Sequence, residues 1–331
     1  MKKSTAVILA TVIFLSLSFS VFAQTSYLYP SDVIKKKHNF HVIAHRGLGS
    51  LAPENTLSAF RLAGQYGFWG CEFDIYPTTD GKWAVMHDPT VDRMTNGSGS
   101  VVNMSFKELS SFRIDKGANI KKYPDEKIPE LSEALDICKK YGMHPIIEIK
   151  GGSSSQIKEL CRGLSKREEK ADFILTSFSG DTLKAVRENL SGARIWLLTF
   201  GVTDYDIAFC QKYGVECIDS SLALTSKADV EKIISSGIEA GVWTADKASD
   251  MEKLYSWGVK YATTDSVLPV NSPKETQKPT QPETHSKTTE PQTTQPSTGT
   301  LSDYLSEENK ALLGIVYSEA EKAVKLCTKL F

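Results

Sequence analysis

The sequence predicts an α/β chain folded as a (β/α)8 TIM barrel, and three observations carry that expectation. Short apolar runs recur at 41–45, 70–75, 145–149, 173–177, 194–199, 215–219, 241–244 and 260–264. Segments of helical periodicity stand between most of them, as at 56–65, 131–141, 155–167, 182–189, 228–235 and 250–257. Several helices stop at a glycine, in Tyr66-Gly67, Tyr141-Gly142, Tyr213-Gly214, Ser236-Gly237 and Trp257-Gly258, where glycine supplies the left-handed residue that ends a helix. Eight strands alternating with helices over 38–270 suit a closed parallel barrel. An open doubly wound sheet competes, but no glycine-rich nucleotide loop follows the first run.

The rest of the chain reads as appendages to that domain. Lys2 and Lys3 precede an apolar run, and Val21-Phe22-Ala23 offers a cleavage site before Gln24, so 1–23 is expected to be a secretory signal peptide. The apolar run is short for crossing a bilayer. Residues 24–37 form a lead without site residues and, like 271–331, are expected to be dispensable for catalysis. Residues 271–300 hold no aliphatic or aromatic side chain apart from prolines and cannot offset their own ordering entropy, which makes them a Thr/Pro/Gln-rich linker. In 301–331, Leu312, Val316, Ala323, Cys327 and Leu330 fall at helical spacing behind a Ser306 cap. An amphipathic tail held off by a polar spacer suggests association with a cell surface. The expected location is secreted or extracytoplasmic.

Composition narrows the function. Of 331 residues, 39 are Lys or Arg and 40 are Asp or Glu, for a net charge of −1. Nucleic acid held by bulk positive charge is therefore excluded as a partner. Six scattered cysteines without a C-x-x-C pair indicate neither a disulfide scaffold nor a zinc site.

In a parallel barrel the chemistry lies at the C-terminal ends of the strands. Those ends read His45-Arg46-Gly47, Glu72-x-Asp74, Glu148-Ile149-Lys150, Ser177-Phe178, Trp243-Thr244 and Asp265. Glu72 and Asp74 are two apart and share one strand face, and Glu148 and Lys150 do likewise, while Cys71 and Phe73 face the helices. Three carboxylates at one mouth repel unless a cation joins them, and hard oxygen ligands suit one Ca²⁺ or Mg²⁺. With Arg46 and Lys150 counted, the cluster remains negative, and a divalent ion turns it positive enough to attract an anion. Asp80-Gly81 between strand-like residues signals a two-residue hairpin. Such a loop pairs Thr79 with Lys82 and sets His87 opposite Asp74, at the metal end, with Asp88 beside it to orient the ring. Glu54, behind Pro53 at a helix start, is the remaining candidate, although a helix N-terminus favours that pair on its own. Trp243 is placed to wall a pocket. His38, His41 and His144 lie away from the strand ends, and Asp219 and Asp265 read as helix caps.

The ordered set His45-Arg46-Gly47, Pro53-Glu54-Asn55-Thr56, Glu72-Phe73-Asp74, His87-Asp88-Pro89-Thr90, Glu148-Ile149-Lys150, Ser177-Phe178 and Val242-Trp243-Thr244 resembles the glycerophosphodiester phosphodiesterases across about 41–268. The resemblance implies a TIM barrel with a small insertion after the second-histidine strand, here about 88–129. It implies His45 and His87 as an acid–base pair, Glu72, Asp74 and Glu148 as ligands of one divalent cation, and Arg46 and Lys150 as phosphate contacts. The implied reaction releases an alcohol and sn-glycerol 3-phosphate from a small glycerophosphodiester. The departure is Ala245-Asp246 after Trp243-Thr244, which leaves the role of residue 246 open. Two other readings stand beside it: a lipid phosphodiesterase of phospholipase D type on the same barrel, and a noncatalytic surface-binding barrel. The second expects a missing histidine or carboxylate, and none is missing.

Overall fold

The structure is a computed structural model and describes residues 29–30, 39–167 and 173–269. The segments read from sequence as signal peptide (1–23), linker (271–300) and helical tail (301–331), together with His38 and Cys327, lie outside the described residues. Eight parallel strands close a barrel: β2 (His41–Ala44), β3 (Gly70–Pro77), β5 (His144–Ile149), β6 (Ile174–Ser177), β7 (Arg194–Thr199), β8 (Cys217–Ser221), β9 (Glu239–Trp243) and β10 (Tyr261–Thr264). Each pairs with the next, and β10 and β3 both pair with β2, which leaves no open edge. β4 (Trp83–Val85) runs antiparallel to β3 beyond the ring. β1 (Tyr29–Pro30) pairs with β11 (Val267–Leu268), so two residues of the lead run parallel to the last residues of the barrel domain.

The helices are α1 (Leu57–Gln65), α2 (Phe106–Leu109), α3 (Leu131–Tyr141), α4 (Ser154–Leu164), α5 (Gly180–Asn189), α6 (Asp204–Tyr213), α7 (Lys227–Ser235) and α8 (Ala248–Trp257). Their starts follow from short polar residues. Thr56, Ser153, Ser179, Thr203 and Ser226 each accept a bond from a first-turn amide, which satisfies a donor that the helix itself cannot. Their ends confirm the glycine stops: Gly142 and Gly214 take left-handed φ of 65° and 64° at their caps. Among the described residues no helix is long and apolar enough to cross a membrane.

Side-chain parity sorts the core into layers. Cys71, Phe73 and Ile75 point outward into the cluster between barrel and helices, as alternation requires. Ile43, Ile146, Ile174, Trp196, Cys217 and Tyr261 fill the barrel interior, and at its N-terminal end His41 and His144 stack on Trp69. Those two histidines thus pack in an aromatic plug, far from the chemistry. The insertion has a core of its own, from Met86, Val91, Met94, Val101, Leu109, Ile114 and Ile128. The five described cysteines, at 71, 138, 161, 210 and 217, are buried and free.

Candidate active site

The C-terminal mouth of the barrel holds a pocket of about 250 Å³, lined by His45, Arg46, Glu72, His87, Glu148, Lys150 and Trp243 among others. Two adjoining strands, β3 and β5, supply the carboxylates. Asp74 and Glu148 are level partners across the β3–β5 register, and Glu72 lies two residues deeper on the same face. Each offers an oxygen within 4.8 Å of the others, and all three are buried. Burial raises Glu72 to about 7 and Glu148 to about 8, with repulsion from Asp74 adding to both. Asp74 falls to about 2, because the Lys150 and Arg46 charges outweigh its burial. Lys150 Nζ lies 3.2 Å from Asp74 and 3.0 Å from Glu148. Three buried oxygen donors that resist ionising together without a cation are a fitting seat for a hard divalent ion.

His45 follows the last residue of β2, and Asp265 follows the last residue of β10. Those strands pair with Ala44 level with Thr264, so the two side chains meet, His45 Nδ1 and Asp265 Oδ1 being 2.9 Å apart. Burial opposes a charge on the ring, but the Asp265 carboxylate prevails and raises His45 to about 9. Asp246 in turn accepts bonds from the Asp265 amide at 2.7 Å and from Thr264 Oγ1 at 3.0 Å. Asp265 is therefore an orienting partner of the histidine rather than a helix cap, and Asp246 has the polar role left open by the sequence.

Arg46 sits in the left-handed region, φ 54°, and donates its amide to Glu72 at 2.9 Å. Gly47 follows at φ 75°, where a Cβ would stand 2.8 Å from Ala59 and Phe60 of α1, so only glycine passes the loop this close to the helix. The Arg46 guanidinium bonds Glu54 at 3.0 Å and lies 3.6 Å from Asp74. Glu54 also accepts from Arg93 at 2.6 Å. It ties two arginines together and is not one of the clustered carboxylates.

His87 reaches the pocket by a route other than the expected one. The turn spans three residues, with Thr78 paired to Lys82 and Gly81 at φ 77°. The register is shifted by one, and Met86 rather than His87 lies opposite Asp74, donating its amide to the Asp74 carbonyl at 3.0 Å. Continued pairing would turn His87 outward beside Phe73, but β4 ends at Val85 and the chain leaves the sheet. His87 then lines the pocket, its Nδ1 2.9 Å from Asp88 Oδ1. Asp88, held well below the ordinary carboxylate range by its bonds to His87 and Arg93 despite partial burial, joins His87 to the Arg93–Glu54–Arg46 chain.

Sequence reasoning missed several contributors. Asn55 has no role legible in Pro53-Glu54-Asn55-Thr56; its side chain donates to Asp74 Oδ2 at 2.8 Å and accepts from the Asp74 amide at 3.3 Å, which clamps that residue. Phe178 and Phe200 stack at 5.0 Å and meet Trp243 edge-on at 5.8 and 5.7 Å, forming an aromatic wall of which only Trp243 was anticipated. Asp219 lies on the pocket wall, beneath Trp243, whose Nε1 bonds its carbonyl at 3.1 Å. It caps no helix. Position at a strand end was the one signal available for Asp219, Asp265 and Phe178.

Known proteins share this arrangement of elements. A Caldanaerobacter subterraneus glycerophosphodiester phosphodiesterase is 30% identical over 234 residues, 68% of this chain and 93% of that protein. Mouse glycerophosphodiester phosphodiesterase 1 is 36% identical over 149 residues, 44% of each chain, so the match spans less than half of it. Among solved structures, an Oleispira antarctica phosphodiesterase in complex with the product sn-glycerol-3-phosphate superposes with a TM-score of 0.64 at 25% identity, over 68% of this chain and 93% of that one. The sequence profile of the glycerophosphoryl diester phosphodiesterase family runs from His45 to Leu268, from the first site histidine to the last strand of the fold, and the chain belongs to that family.

Proposed function

We propose that the protein hydrolyses small glycerophosphodiesters, such as glycerophosphocholine or glycerophosphoethanolamine, to an alcohol and sn-glycerol 3-phosphate. The observation that carries this reading is the juxtaposition, at one barrel mouth, of two aspartate-oriented histidines with three buried carboxylates and two cations. Arg46 and Lys150 neutralise phosphoryl oxygens and orient the diester. In both histidines Nδ1 is turned to an aspartate, which leaves Nε2 as the ring nitrogen for substrate. Asp265 keeps His45 protonated through neutral pH, which suits it to give a proton to the departing alkoxide, while His87 takes one from the nucleophile. Glu72, Asp74 and Glu148 would hold the divalent ion, Ca²⁺ or Mg²⁺, which when bound adds Lewis-acid stabilisation of charge on the phosphoryl group. Release of choline and sn-glycerol 3-phosphate from glycerophosphocholine, lost on chelation and restored by Mg²⁺ or Ca²⁺, tests the reading. No release with either ion would overturn it.

A second reading draws on the exposed rings of Phe178 and Phe200, 41% and 62% accessible beside the mouth, which could receive the acyl chain of a lysophospholipid. Comparing lysophosphatidylcholine with glycerophosphocholine under identical conditions decides between them. Residues 1–23 direct the chain out of the cytoplasm, and 301–331 associate it with the cell surface across the 271–300 spacer. A mature N-terminus at Gln24 in protein recovered from outside the cytoplasm tests the first, and loss of cell association on deleting 301–331 tests the second.

A further inference from the structure

Two oxygens in the pocket have no partner among the described residues. Asp219, 4% exposed, and Thr176, 1% exposed, both line it, and neither Asp219 Oδ1 nor Thr176 Oγ1 makes a hydrogen bond to another described residue. Buried polar atoms are rarely left so, and one that faces a cavity is explained by what enters the cavity. The neighbouring strand is shaped around the carboxyl. Gly241 pairs with Asp219 across the β8–β9 register, and a Cβ on it would stand 2.8 Å from Oδ1. Gly241 is not among the residues of positive φ, so the missing side chain serves space rather than backbone conformation.

The chemistry of this wall differs from that of the metal side. Arg46, Lys150 and the carboxylate seat serve a phosphate, whereas Asp219 and Thr176 bring no positive charge to this wall. A quaternary ammonium cannot donate a hydrogen bond to either oxygen. Alcohol hydroxyls can bond to both, and glycerol carries two on adjacent carbons. We infer that Asp219 and Thr176, in the space left by Gly241, form a hydroxyl-recognition subsite that holds the glycerol moiety of substrate and product. This rests on the phosphodiesterase reading above and adds the residues that select glycerol over an unhydroxylated chain. A site built to bond a hydroxyl rejects the analogue that lacks it, because its own buried polar groups then stay unpaired.

Calorimetric titration of the full-length, Mg²⁺-loaded protein with sn-glycerol 3-phosphate and with n-propyl phosphate tests the subsite without relying on turnover. The wild type should bind the glycerol compound about 10- to 100-fold more tightly. In Asp219→Ala, and in Gly241→Ala, whose methyl displaces the carboxyl, that preference should collapse while propyl phosphate binds as before. Asp219→Asn should keep most of it. Asp219→Ala should melt no lower than the wild type, since it removes an unpaired buried group; a packing residue would melt lower with both affinities reduced alike. Equal binding of the two probes by the wild type, or a preference that survives both variants, overturns the subsite. Wild-type turnover of glycerophosphocholine is measured alongside: its absence sinks the functional reading, and its presence without hydroxyl preference sinks only this inference.

Discussion

Replacing Asp265 by Asn should move the pH dependence of turnover acidward, and the structure sets the size of the move. Burial alone lowers His45, and Asp265, through its charge and its bond to Nδ1, is the main reason that the ring instead titrates near 9. Asn keeps the shape, and the backbone bond to Asp246 stays, but the charge is gone. Glu72 and Arg46 then act on the ring in opposite directions, so His45 should return to its ordinary value of 6.5 or below. At pH 7.5 the protonated fraction drops from about 97% to about 9% or less, a loss of roughly tenfold before any disorientation of the ring. The sign follows from the roles. If His45 is the acid, the alkaline limb of kcat/KM falls from about 9 toward 6.5, and the deficit shrinks as the pH is lowered to 5.5. If His45 is the base, the acid limb moves down instead, and the variant gains relative activity at low pH. Full pH profiles of the metal-saturated enzyme, with melting temperatures to confirm folding, distinguish the two. A profile that stays in place, or moves toward alkaline pH, refutes Asp265 as the group that sets the charge of His45.

Three further outcomes are expected. Glu72→Ala, Asp74→Ala and Glu148→Ala should each abolish tight Mg²⁺ or Ca²⁺ binding in calorimetry, and undiminished turnover after exhaustive chelation would contradict the carboxylate seat. Asn55→Ala should leave all three ligands in place yet weaken metal binding about 10- to 100-fold, since it frees Asp74 from both of its amide bonds; unchanged affinity would show the clamp to be idle. His87→Ala should cut turnover roughly 10²- to 10⁴-fold with metal affinity nearly intact, and a parallel loss of metal binding would make His87 a ligand instead of an acid or base.

Much of this protein follows from local pattern. The eight strand positions, the glycine stops and the inward parity of Glu72, Asp74, Glu148 and Lys150 depend on side chains two to four residues apart, and such periodicities act before any tertiary contact forms. The barrel then brings strand ends together whatever their order, so His45, Arg46 and the three carboxylates could be placed at one mouth from their positions in strands alone. His87 marks the edge of that reach. Its place in the pocket was anticipated, but for a register that the Thr78–Lys82 turn does not adopt, because one extra loop residue shifts every pair in the hairpin and the strand stops before that shift matters.

What only the tertiary structure decided are the partners. Asp265 meets His45 across 220 residues because the last strand closes on the first, and nothing in either neighbourhood announces the other. Asn55 clamps Asp74, Glu54 bridges Arg46 and Arg93, and Gly241 yields its side-chain space to Asp219, each through a contact between separate elements. A residue's type and periodicity determine which face it occupies. Which group stands 3 Å away on the next element depends on strand stagger, loop length and ring closure, and these arise only when the whole chain packs.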